Sequence, residues 1–142
     1  MPVGLHMALY KAFHAQKNHT RPGMMAIGLS PGQPKVLHYL TRHDNCMQKD
    51  IAYALDIEPA TVSRLLDNMA QAGMIRRAEP GENRRAESVT ITGAGREACA
   101  RWDVLCAEVE ADALRDFSAQ EKEQFIGYLC RMYWNLTGKP AE

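Results

Sequence analysis

No stretch of this 142-residue chain approaches the ~20 consecutive apolar residues that a membrane-spanning helix needs. The N-terminal MPVGLHMALYK lacks both the basic leader and the continuous apolar segment of a secretory signal. A cytoplasmic protein with no membrane partner is therefore expected. Cysteine is sparse: there are four, none in a C-x-x-C pair, so a disulfide framework is not expected. Glycine is never arranged as a phosphate-binding loop or as G-x-S-x-G, no H-E-x-x-H is present, and no carboxylate spacing demands acid–base chemistry. These absences speak against an enzyme and against any cofactor. Charge of either sign is also lacking in sum, since 17 Lys and Arg balance 17 Asp and Glu. Its distribution is uneven: residues 1–30 carry three basic side chains and no acidic one, whereas residues 97–142 carry five against nine. A basic portion is hidden by an acidic C-terminal third, so a polyanionic partner stays open.

What is present centres on Gln48 to Thr92. From Pro59 to Ala72, Val62, Leu65, Leu66 and Met69 fall on one stripe at the 3.6-residue period, and Ala60, Arg64, Asp67 and Gln71 point the other way. Thr61, Ser63 and Asn68 flank that outward row. A helix with an apolar back and a front of arginine, hydroxyls and amides suits the reading of base edges in a major groove. Before it, Gln48 to Leu55 forms a shorter helix burying Ile51, Ala52 and Leu55, joined through Asp-Ile-Glu-Pro. After it, Gly73 closes the helix, and Met74–Ala78 and Ser88–Thr92 alternate as paired strands around the loop EPGENRRAE.

The flanks read as helices. Leu5, Ala8, Leu9, Ala12 and Phe13 make a stripe from Val3 to about His19, after which Pro22 and Gly23 are expected to break the helix into a loop. Ser30, Pro31 and Gln33 give a capping box that opens the next helix, with Val36, Leu37 and Leu40 inside. Beyond Thr92, itself a cap, Ala98, Trp102, Leu105 and Val109 define what should be the longest helix. Ser118 and Glu121 form a second capping box, and Phe125, Leu129, Met132, Tyr133 and Leu136 run along the last helix to Gly138.

This order of parts resembles the MarR family of winged helix-turn-helix transcriptional regulators. The likeness is carried by LSPGQPKVLHYL, QKDIAYAL, PATVSRLLDNMAQAGMIRR and NRRAESVTITGAGR, between Leu29 and Arg96. It implies a mainly α fold with a small β-wing: one domain over 1–142, a winged helix-turn-helix over 30–92, and dimerising helices over 1–20 and 93–138. It further implies a homodimer that places one recognition helix per subunit in successive major grooves of double-stranded DNA, at a pseudo-palindromic site with half-sites about 34 Å apart. By position, Arg85 matches the wing-tip arginine, Asp67 the acidic residue that steadies it, and Arg77 the arginine after the recognition helix. Two departures stand out. Asn83 occupies the place where the family usually has an aspartate two positions before the wing arginine, and Met47 stands where a threonine commonly opens the first helix of the reading head.

The candidate DNA-binding residues are thus Gln48, Lys49, Ala60, Thr61, Ser63, Arg64, Asn68, Arg77, Arg84 and Arg85, with Asp67 supporting the wing. Arg85 is the leading choice for a minor-groove contact, against the plain alternative of a solvated turn residue. Phe13, His14, Met24, Met25, His38 and Trp102 are candidates to line a pocket for a small aromatic or apolar effector, against the alternative of core or dimer interface. Cys99, Cys106 and Cys130 read as buried packing, leaving Cys46 as the thiol exposed enough for redox sensing. No two of the five histidines lie four apart on one helix, and no metal site is expected. The reading reached is a repressor released from its operator by an effector. A winged-helix module for protein partners and a thiol-responsive regulator are its rivals.

Overall fold

The computed structural model describes residues 2–78 and 88–142. The chain divides into two units, Met1–Ala107 and Glu108–Glu142. In the first, α1 (Leu5–Ile27), α2 (Gln33–Arg42), α3 (Gln48–Leu55), α4 (Pro59–Gln71) and the start of α5 (Gly93–Ala113) accompany three short strands, β1 (Cys46–Met47), β2 (Ile75–Arg77) and β3 (Ser88–Ile91). The fold is mainly helical with a small antiparallel sheet, as the sequence implies.

Apolar spacing builds the core. Val36, Leu37 and Leu40 from α2, Ile51 from α3, and Val62, Leu66 and Met69 from α4 are each fully excluded from solvent. They pack with Val89, Ile91 and Cys99 in one cluster. Burying a side chain of this size contributes about 1.5–3 kcal/mol, so this cluster holds the small helices together where isolated helices of 8 to 13 residues would be marginal.

The sheet has the order β1-β3-β2, with Cys46 opposite Val89 and Arg77 also opposite Val89 on the other side. One carboxylate locks it to its surroundings: Asp44 Oδ1 accepts the Ile91 N–H at 2.9 Å, and its Oδ2 accepts from Arg96 at 3.2 Å. Thr92 caps α5 as expected, its Oγ1 accepting the Gly95 N–H at 3.1 Å while its hydroxyl donates to the Gly73 carbonyl at 2.6 Å.

Three expectations are corrected. Pro22 does not end the first helix, which runs unbroken to Ile27. An internal proline costs about 3 kcal/mol, yet Met24 is buried and Gly23 lies so close to Leu105 that an added Cβ would stand 2.7 Å from its Cδ1. Close packing on α5 outweighs the local preference, and the helix stops only at Gly28, whose φ of 93° suits a residue without a side chain. At 23 residues α1, not the 21-residue α5, is therefore the longest helix. The second helix starts at Gln33 and not at Pro31, because Gly32 turns the backbone into the left-handed region at φ 89°. Half of the expected box survives: Gln33 Oε1 accepts the Ser30 N–H at 3.0 Å.

In the second unit, Ser118 and Glu121 form the capping box as read, with Glu121 N–H donating to Ser118 Oγ at 3.0 Å and Ser118 N–H to Glu121 Oε1 at 2.9 Å. They open α6 (Ala119–Thr137), which ends at Gly138. Lys122 Nζ reaches Glu110 Oε2 at 3.0 Å. No residue of α6 is buried, and Phe125, Leu129, Trp134 and Leu136 all stand open to solvent. Among the described residues, no helix is long and apolar enough to cross a membrane.

Candidate nucleic-acid interface

The outward face of α4 is the centre of the site. Ala60, Arg64, Asp67, Asn68 and Gln71 are exposed, Thr61 and Ser63 are half-buried at its margins, and Val62, Leu66 and Met69 fix the back of the helix to the core. The face is therefore presented rigidly. No side-chain cap starts α4. Instead the Glu58 carbonyl accepts the N–H groups of both Thr61 and Val62 at 3.0 Å. Arg64 stands exposed in the middle of that face.

Gln48 and Lys49 stand in the first turn of α3. Met47 offers no capping side chain, and the lost function is partly replaced by Asp50, whose Oδ2 accepts the Met47 N–H at 3.1 Å. A helix N-terminus with exposed Lys49 beside it favours an anion.

Arg77 has a different place from that of a free DNA-facing cation. Its guanidinium donates to Asp67 on α4 and to Gln48 on α3, joining β2 to both helices of the reading head. A planar fork with several donors can bridge two acceptors in this way, which a point charge cannot. The carboxylate on the outward face is thereby paired with Arg77 among the described residues, while the pairing with Arg85 expected from the resemblance falls outside them. Arg84, Arg85 and the neighbouring Asn83 lie outside the described residues. Spacing alone did not betray the Gln48–Arg77–Asp67 bridge, because its members are 29 and 10 residues apart.

Two of the residues grouped as an effector pocket share a cleft. Met24 and Met25, with Arg21, Leu29 and Ser30, line an open cleft of about 480 Å³ at the end of α1. Phe13 and His14 are exposed farther up that helix, where His14 stacks on Tyr10 at 5.7 Å between ring centroids. His38 faces Asp103 on α5, and Trp102 packs on the core.

The cysteines also depart from expectation. Cys130 is exposed and Cys46 only half-buried. Burial, helped by the nearby charges of Asp50 and Asp44, pushes the Cys46 thiol up to about 11. The group is therefore held protonated at neutral pH, the reverse of what a redox sensor needs. Alkylation of Cys46 by iodoacetamide at pH 8 is expected to run roughly 100-fold slower than that of an unstructured cysteine peptide, and to rise about tenfold per pH unit up to pH 10. Peptide mapping of the modified protein gives the rate, and a value equal to the peptide's would contradict this environment.

With this geometry in view, similarity to known proteins is informative. A profile of the MarR family matches residues 27–86. The solved structure of Staphylococcus aureus MepR bound to DNA is 25% identical, with 94% of this chain and 97% of that one covered at a TM-score of 0.79. The transcriptional regulator PA3341 is 27% identical over 96% of this chain and all of its own length, with a TM-score of 0.79. A MarR family protein of Mycobacterium tuberculosis, solved with DNA, is 18% identical over 96% of this chain and 99% of that one at a TM-score of 0.74. The same protein has been solved with salicylic acid, at 19% identity, 92% and 97% coverage and a TM-score of 0.69.

Proposed function

This chain belongs to the MarR family of transcriptional regulators, and on that premise we propose that it binds a pseudo-palindromic operator in double-stranded DNA as a homodimer and represses transcription until a small aromatic effector releases it. The observation that carries the reading is the face of α4, polar and open in front, locked behind by side chains of zero exposure and braced at its flank by Arg77. Arg64 reads a base edge or a phosphate from the middle of that face. Gln48, Lys49, Thr61 and Ser63 set the register through backbone contacts, and Arg85 serves the minor groove.

Dimerisation is supported by the apolar side chains left open on α1 and α6. Leu5, Phe13, Trp134 and Leu136 are between 53% and 75% exposed, more than a monomer of this size usually leaves uncovered on its helices. The cleft at Met24 and Met25 supports an effector, since apolar walls beside Arg21 suit an aromatic ring carrying an acidic group. A MarR family structure holding salicylic acid gives that class its precedent.

Selection of bound duplexes from a random pool, followed by titration at several salt concentrations, tests the proposal. A two-fold symmetric sequence occupied by two chains is expected. Arg64→Ala should weaken binding to it by about 1–3 kcal/mol, and Lys49→Ala should reduce the salt slope by about one. Binding that selects no sequence and ignores salt would overturn the DNA reading in favour of a protein-interaction module.

A further inference from the structure

We propose that His38, Cys99 and Asp103 form a binding site for a divalent transition-metal ion of the zinc type, linking α2 to α5. One ligand atom from each residue lies within 4.8 Å of the other two, and His38 Nδ1 is 4.0 Å from Asp103 Oδ1. An ion at the centre of a triangle of that size would stand at most about 2.8 Å from each ligand atom, against about 2.0–2.3 Å for zinc–nitrogen, zinc–oxygen and zinc–sulfur bonds. Closing the site asks each ligand to move by roughly half an ångström, within the reach of a rotamer adjustment.

The chemistry of the set is selective. Imidazole, thiolate and carboxylate together favour a borderline ion over magnesium or calcium, which take oxygen alone. Three protein ligands leave a fourth tetrahedral position for water or for a donor from another molecule.

The fold supplies both rigidity and access. Cys99 is 2% exposed and anchored in the core cluster, so its sulfur is fixed from below. The side chains of His38 and Asp103 are 45% and 58% exposed and provide the path by which an ion enters. Cys99 and Asp103 are four apart on α5, which sets both on one face of the helix, while His38 reaches in from α2. Sequence reasoning sought two histidines in this relation and found none. The pair that shares a helical turn is a cysteine with an aspartate, and its third partner lies on another helix.

The test is metal titration of the reduced full-length protein. Zinc is measured in competition with a chromophoric chelator, and cobalt is followed by its thiolate charge-transfer and d–d absorption. One ion per chain is expected, with the spectrum of a four-coordinate site carrying one sulfur ligand and a thermal midpoint that rises with zinc. His38→Ala and Asp103→Asn, at a half-buried and an exposed position outside the core cluster, should each weaken zinc binding at least tenfold and remove the midpoint rise. Cys99→Ser should abolish the charge-transfer band. Wild-type protein that binds neither ion, or His38 and Asp103 variants that bind as wild type does, would overturn the site and assign any bound ion to other groups.

Discussion

Arg77→Ala should lower affinity for the selected operator by about 2 kcal/mol, or roughly 30-fold, while the thermal midpoint moves by less than about 3 °C. The two halves of this expectation come from different places. Arg77 and Asp67 are both partly open to water, and an exposed ion pair contributes at most about 1 kcal/mol to stability. Affinity depends on something else, namely the position of Gln48 and the orientation of α3 and α4, and the bridge fixes both. Arg77→Lys separates this account from direct contact with DNA. A lysine that merely met a phosphate would retain most of the binding, whereas a lysine cannot span Gln48 and Asp67 together and should behave nearly as alanine does. Asp67→Ala decides the sign. If the carboxylate only repelled phosphates, its removal would strengthen binding; as one anchor of the bridge, its loss should weaken it. Fluorescence anisotropy with a labelled operator measures all three variants, and tighter binding by Asp67→Ala would refute the bracing role.

Gly95→Ala should destabilise the protein by about 2–4 kcal/mol, lowering the thermal midpoint by roughly 6–12 °C. Alanine is the better helix former by about 1 kcal/mol, so propensity alone predicts the opposite. Space decides against it. A Cβ at residue 95 would lie 2.2 Å from the Met74 carbonyl oxygen and 2.8 Å from Ile91 Cγ1. The first of these is backbone that also accepts the Thr92 N–H at 3.1 Å, so it cannot retreat without breaking the turn that leads into α5. Gly93→Ala is the matched control, since nothing lies within 4 Å of its added Cβ, and it should be neutral or slightly stabilising. Thermal unfolding followed by circular dichroism distinguishes the pair; equal midpoints would show that the carbonyl yields.

The reading head was legible because its signals are local. Val62, Leu66 and Met69 repeat at the helical period, Pro59 marks a start, and Ser88 to Ile91 alternates, so α3, α4 and β3 emerge within a residue or so of the expected ends. The capping box at Ser118 and the cap at Thr92 were legible for the same reason. What failed depends on contacts distant in sequence. Pro22 looked like a breaker because the packing of Gly23 on Leu105 cannot be read from the chain around it. The contact of Asp67 with Arg77 from the adjacent strand was not anticipated because the two lie ten residues apart, on different elements. Cys130 was expected to be buried on the last helix, but no residue of α6 is buried and Cys130 is exposed. Periodicity shows which face is apolar and not what covers it.

The carboxylate of Asp44 holds the Ile91 amide and the Arg96 guanidinium from 47 and 52 residues away. Both helices of the reading head lie inside the loop that this contact closes, and β1 gains its strand neighbour, β3, from the far side of it. During synthesis at ~5–20 residues per second, the ribosome therefore releases α2, α3 and α4 some seconds before the strand that seals their underside exists. In that interval Leu40, Ile51 and Leu66 lack part of their cover and the edge at Cys46 is unpaired. Nascent chains stalled before Ser88 should be clients for chaperones, whereas chains extended past Arg96 should not, so the order of translation exposes a vulnerability that the finished domain conceals.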